Sequence, residues 1–140
     1  MPDSLVTLAD YRKRLESLCL GGVGPGLPRK RRDACILLRS ALTAFPPARA
    51  FSQAQVDAAL EFWVADIGPR VELDRVSLRR ALIDFGYLAR DDRGAEYRRA
   101  EPLPGPVGFE EGVDRIDPAG LLREARGRLE RKRRQHAEGR

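Results

Sequence analysis

Apolar residues recur at helical spacing in five places along the chain. The most informative stretch runs from Asp74 to Arg99, DRVSLRRALIDFGYLARDDRGAEYRR. Leu78, Ala81, Leu82 and Phe85 fall on one face of a helix. Asp74 can cap it by accepting from the free amides of the first turn, and Gly86 can end it, because glycine enters the left-handed conformation without a Cβ penalty. Tyr87 and Leu88 then open a strand, Asp91-Asp92-Arg93-Gly94 carries turn chemistry, and Ala95 to Arg99 return as a second strand.

Upstream, Leu5, Leu8, Tyr11, Leu15 and Leu18 mark one face of an amphipathic helix reaching about Leu20, with Asp3, Ser4 and Thr7 as rival starts. The stripe fits a helix packed on the core, and its 8-11-15-18 spacing also suits a two-helix dimer seam. Gly21 to Pro28 is a Gly/Pro linker; it lacks the Gly-Lys-Ser/Thr that closes a phosphate-binding loop. Ala34, Leu37, Leu38, Ala41, Leu42 and Phe45 form the next stripe, ended by Pro46-Pro47. FSQAQV, 51–56, has the pattern of a capping box, Ser52 with Gln55, and of a hydrophobic staple, Phe51 with Val56. The helix it opens buries Val56, Ala59, Leu60 and Trp63 and stops near Ile67 and Gly68; Trp63 reads as a core anchor. After the hairpin, EPLPGPVGFEEG reads as a second linker with little core potential. Asp117-Pro118 then gives an N-cap and a proline at N1 of a last helix with a narrow seam of Leu122, Ala125 and Leu129.

The segments are therefore 1–20 N-terminal helix, 21–28 linker, 29–100 central domain, 101–116 linker and 117–140 basic helix and tail. The expected fold is mainly α with a small β-hairpin: a winged helix-turn-helix core of three helices and one hairpin, flanked by N- and C-terminal helices. With aromatics at only 6%, the core has to be built mainly from Leu, Val, Ile and Ala.

Charge changes the picture by its location. The net charge is +5, and residues 123–140 alone carry eight basic and three acidic residues, which is the whole excess. That tail, with Arg131, Lys132, Arg133 and Arg134, reads equally as a solvated end or as a nucleic-acid contact. Across 70–99 the count is eight basic to six acidic, weaker than the patch a dedicated DNA-binding face usually shows.

Candidate chemistry is sparse. Cys19 and Cys35 lack metal-ligand spacing and read as reduced core thiols. His136 is the only histidine, and adjacent Asp91 and Asp92 have a sufficient structural reason to sit in a turn. The expectation is a non-enzyme with no cofactor and no metal. No apolar run approaches the ~20 residues of a membrane span.

Basic residues supply the binding candidates. At about 100° per residue, Arg79 and Arg80 project away from the stripe of the 74–85 helix, with Val76 and Ile83 between them and Arg75 and Ser77 on its first turn. Such a helix can enter a major groove by its N-terminal end, where arginine pairs bidentately with guanine or holds phosphate. The competing use of Arg79 and Arg80 is an ion pair to Asp84 or another carboxylate, with the outer face covered by a terminal helix. Arg90, Arg93, Arg98 and Arg99 of the hairpin suit the DNA backbone. Arg29, Lys30, Arg31 and Arg32 crowd a helix N-terminus, which prefers anions, and so fit either an external phosphate or a solvated boundary.

The stretches FSQAQVDAAL, LDRVSLRRALIDFGYLARDDRG and EYRR together resemble the prokaryotic domain of unknown function numbered 2087. The resemblance rests on Val56, Leu78, Arg79, Arg80, Leu82, Ile83, Asp84, Gly86, Leu88, Arg90, Gly94 and Tyr97, and covers about Arg29 to Arg99. Asp57 stands where that family prefers asparagine, and the stretch around Ile67 to Val71 is longer. The resemblance implies a small bacterial winged-helix-like domain, sometimes joined to transcription-regulator modules, with no established activity; the cytoplasmic location expected for it comes from the reduced thiols. The resulting expectation is a DNA-binding or transcription-associated protein with double-stranded DNA as partner. The alternatives are a protein-interaction module, RNA binding through the tail, and a homodimer through the terminal helices.

Overall fold

The structure, a computed structural model, describes residues 4–21 and 25–139; Asp3, residues 22–24 of the first linker and Arg140 lie outside them. Its elements are β1 (Ser4–Val6), α1 (Leu8–Leu20), α2 (Arg31–Leu42), β2 (Ala50–Ser52), α3 (Gln53–Phe62), α4 (Arg75–Asp84), β3 (Leu88–Arg90), β4 (Glu96–Arg99), β5 (Val107–Phe109) and α5 (Pro118–Glu138). A π-helical turn, Trp63–Ile67, prolongs α3, and a 3₁₀ turn, Val113–Arg115, precedes α5. The chain is mainly α with a small β-hairpin.

Thr7 is the start of α1, its hydroxyl accepting from the Asp10 amide at 3.1 Å, because Ser4–Val6 are taken up by a strand. The stripe of α1 is used within the chain: Tyr11, Leu15, Leu18 and Cys19 are buried between α2 and α5. The seam considered for a dimer is therefore occupied. Helix α2 carries more than the expected stripe. Ile36 is buried as well, beside Cys35, the expected core thiol, because α1, α4 and β5 surround the helix.

The capping box of α3 is formed in both directions, Gln55 amide to Ser52 Oγ at 3.1 Å and Ser52 amide to Gln55 Oε1 at 2.9 Å. Trp63 is a core anchor: its indole N–H donates to Ser40 Oγ at 2.8 Å, and that hydroxyl donates to the Leu37 carbonyl at 2.5 Å. Gly68 closes the π turn flat against the Trp63 ring, where a Cβ would collide with the indole. Helix α4 starts on Asp74, which accepts from the Ser77 amide at 2.7 Å. It stops in a Schellman motif, with Tyr87 N–H to the Leu82 carbonyl at 2.8 Å, Gly86 N–H to the Ile83 carbonyl at 3.0 Å, and Gly86 at φ +81°.

Strands β2, β4 and β3 form an antiparallel sheet in that order. The pairing Phe51↔Tyr97↔Arg90 puts Phe51, Tyr97 and Leu88 on the inner face, and Ala50, Arg98 and Ala89 on the outer. The hairpin was legible from turn chemistry; β2, three residues shared with a capping box, was not.

The largest correction concerns 101–116. This segment is no linker: β5 pairs in parallel with β1, and Val107, Val113 and Ile116 are buried in the common core. Three-residue strands between prolines and glycines carry no alternation to read. The second correction is in the basic segment, where α5 continues as helix to Glu138 instead of giving way to a tail. Among the described residues, no helix is long and apolar enough to cross a membrane.

Candidate nucleic-acid interface

Helices α3 and α4 are cross-linked by a two-rung ladder of charge. Asp57 and Glu61 stand one turn apart on α3; Arg79 and Arg75 stand one turn apart on α4. Arg79 is ion-paired to Asp57, and Arg75 to Glu61 at 2.6 Å. The two rungs differ in depth. Arg79 and Asp57 each keep 19% of their side-chain surface exposed, whereas Arg75 and Glu61 are well hydrated. Arg79 is therefore a structural residue in this state, not a group open to a polyanion. This is the competing use the sequence offered, an ion pair to another carboxylate; the angle on α4 alone could not name Asp57 of the neighbouring helix as that acid.

Ser77 is engaged too. Its amide and its hydroxyl both donate to Asp74, at 2.7 and 3.1 Å, which holds the Asp74 carboxyl below its ordinary value. Arg80 is exposed and makes no hydrogen bond or ion pair among the described residues. Val76, one turn before it, is 43% exposed. The outer face of α4 is not roofed by a terminal helix: α4 packs on α3, α2 and β3, while α5 lies along α1 and the π turn.

The hairpin divides its arginines in the same way. Asp91 builds the turn, accepting from the Ala95 amide at 2.8 Å and the Glu96 amide at 3.2 Å, so its structural use is sufficient. Arg93 at the tip and Arg98 on the outer face are exposed. The Arg90 guanidinium folds over Gly94, where a Cβ would come within 2.8 Å of it. Arg99 contradicts its expected place on a DNA backbone. It turns inward to Asp114 at 2.5 Å and the Phe45 carbonyl at 3.3 Å, with 7% of its side chain exposed. Its register opposite Leu88, on the inner face, is the reason.

At the N-terminus of α2 one of the four cations, Arg32, meets an acid, and a further acid, Asp33, stands in the first turn. Asp33, in the first helical turn, takes a bidentate bond from Arg14, 2.8 Å to each oxygen, which holds its carboxyl well below the usual range. Arg32 reaches Asp10 at 3.3 Å, and Arg31 lies over the Phe85 ring at 5.6 Å. Arg29 and Lys30 remain exposed at the rim of a cleft of about 520 Å³ that also contains Arg14 and Asp33. The clash with the helix dipole is thus answered internally in part, by Asp33 in the first turn and by the Arg32–Asp10 pair.

Helix α5 is fastened only along its first half. Leu122 and Ala125 are buried, Arg126 donates to the Asp66 carbonyl at 3.2 Å, and Arg128 pairs with Glu16 at 2.8 Å. From Arg128 to Gly139 every residue is exposed, including Arg131, Lys132, Arg133 and Arg134. The cause is in the seam: continued from Leu129 at helical spacing it reads Arg133 and His136, which have nothing to bury. The distal half of α5 and the start of α4 flank the same π turn. One groove is lined by Ala65, Asp66, Arg126 and Arg133, the next by Ala65, Asp74, Arg75 and Val76.

Both cysteines are free and buried, and burial pushes the Cys19 thiol up to about 12. Among the described residues no three His, Cys, Asp or Glu side chains converge as metal ligands would.

Residues 26–99 match the sequence profile of a family described as "uncharacterized protein conserved in bacteria". No curated protein and no solved structure matches the chain.

Proposed function

From the premise that the chain belongs to the bacterial family DUF2087, with slightly more than half of its length inside the family's bounds, we propose that it is a double-stranded DNA-binding protein associated with transcription. In this reading α2, α3 and α4 with the sheet β2-β4-β3 act as a winged helix-turn-helix. The observation that carries it is the order helix, strand, helix, helix, strand, strand, with the last strand returning between the first two. A winged helix has that order, and it aims the second helix of the turn, α4, at a major groove. Supporting chemistry comes from exposed cations with no internal partner among the described residues: Arg80 on α4, Arg93 and Arg98 on the hairpin, and Arg131 to Arg134 on distal α5. The first would reach base edges, the others phosphates. Arg75 stays on Glu61, and Arg79 and Arg99 act as fasteners.

The test is a titration of labelled duplex DNA at several salt concentrations. Replacing Arg131, Lys132, Arg133 and Arg134 together by glutamine should lower the slope of log affinity against log salt by roughly 3–4 and leave residual binding. Arg80→Ala should weaken that residue of binding by ~1–3 kcal/mol at unchanged thermal stability. A wild-type protein that ignores duplex DNA at low salt overturns the proposal, and the exposed Phe62 and Val76 then point to a protein partner. Tighter binding to single-stranded RNA than to duplex also overturns it.

A further inference from the structure

We propose that Val76 and Arg80 are the base-reading pair of α4, and that the preferred DNA site carries a thymine one or two base-pair steps from a guanine. This rests on the DNA-binding reading above and adds to it the chemistry of the target.

The argument is one of elimination among the residues on or near the outward face. Arg79 is held by Asp57, Arg75 by Glu61, and both donors of Ser77 by Asp74. Asp84 is exposed at the C-terminal end, where its charge adds to the negative end of the helix dipole and repels phosphates. That directs the helix into a groove by its other end, where Val76 lies. What remains facing outward in the first two turns is one apolar side chain and one guanidinium with its donors free.

These two groups match two features found only on the major-groove edge of DNA. A valine in water gains little, but against the C5-methyl of thymine it makes an apolar contact. Arginine spans the O6 and N7 acceptors of guanine with two parallel hydrogen bonds. Four residues of helix rise about 6 Å, and successive bases rise about 3.4 Å, which sets the spacing. The acids of α3 contribute by neutralising α4's other arginines. The helix is thereby left with little charge for indiscriminate phosphate contact, and discrimination rests on the two free side chains.

The experiment selects tight-binding duplexes from a randomised pool with the full chain, then alters single atoms of the selected site. Deoxyuridine in place of the critical thymidine removes only the methyl group. It should cost wild type about threefold in affinity and cost the Val76→Ala protein nothing. 7-Deazaguanine in place of the critical guanine removes one acceptor. It should cost wild type about tenfold, with no further loss in Arg80→Ala. Both side chains are exposed, so both variants should melt at the wild-type temperature. Selected sites that tolerate uracil and deazaguanine at every position overturn the pair assignment, as do variants that keep the wild-type discrimination. A chain that binds all duplexes equally sinks the base readout but leaves DNA binding in place, whereas no duplex binding at low salt sinks DNA binding itself.

Discussion

Arg14 and Asp33 form an ion pair whose two ends are unequal. Asp33 has 8% of its side chain exposed and Arg14 has 38%, so arginine can be rehydrated where it stands and the carboxylate cannot. Arg14→Ala should therefore cost about 3 kcal/mol and Asp33→Asn only about 1 kcal/mol, as read from denaturant unfolding. The pH dependence follows from the same pair. Because the folded protein holds the Asp33 carboxyl below its ordinary value of 3.8, the pair's stabilisation is complete above that value and is lost as pH falls through the lower one. Thermal unfolding followed from pH 6 to pH 2 should decline less steeply in Asp33→Asn than in wild type. Ser40 is the matching case without charge. Ser40→Ala leaves the buried indole N–H of Trp63 without an acceptor and should cost about 1–3 kcal/mol, with the fluorescence of the single tryptophan reporting the transition. At this scale the sequence was legible for side chains whose role is local. Asp74, Ser52, Asp91 and Gly86 act on neighbours a few positions away. It could not name the partners of Arg79, Arg99 and Asp33, which lie 15 to 22 positions away in Asp57, Asp114 and Arg14.

Elements with a period and a cap were readable, and those fixed only by a neighbour were not. Helices α3 and α4 follow from stripe, cap and terminating glycine. Strands β1 and β5 exist because each supplies the other's hydrogen bonds, so neither announces itself in its own three residues. Buried Ile36 on α2 depends on the same strand, since β5 covers part of that helix. The π turn gives a sharp prediction. Gly68→Ala places a methyl group inside the van der Waals radius of the Trp63 ring, a ring already fixed by Ser40. The residue must move or the turn must open, at a cost of about 1–3 kcal/mol. A lowered melting temperature, together with a changed tryptophan emission, is the expected result. The ladder between α3 and α4 predicts a gain. Glu61→Gln releases Arg75 to meet phosphate and should raise duplex affinity while adding about 1 to the salt slope; unchanged affinity would mean that Arg75 lies off the DNA path.

For the molecule as a whole, the family's bounds and the folding unit differ. The matched stretch, 26–99, contains α2, α3, α4 and the hairpin but not α1 and β5, which cover much of α2. Tyr11, Leu15, Leu18, Val107, Val113, Ile116 and Leu122 all lie in the same core cluster as Leu38 and Trp63. Asp114 ties the late segment down from outside, pairing with both Arg39 of α2 and Arg99 of β4. A fragment of residues 26–99 should therefore lack a cooperative thermal transition and bind a hydrophobic dye, whereas the full chain unfolds in one step. The parallel pairing of β1 with β5 sets a further condition, on synthesis. Ser4 and Val107 are partners about a hundred residues apart. At 5–20 residues per second a ribosome makes that interval in roughly 5–20 s. Until Val107 to Phe109 leave the exit tunnel, β1 has no mate, and the nascent chain must keep that strand out of wrong company for that long.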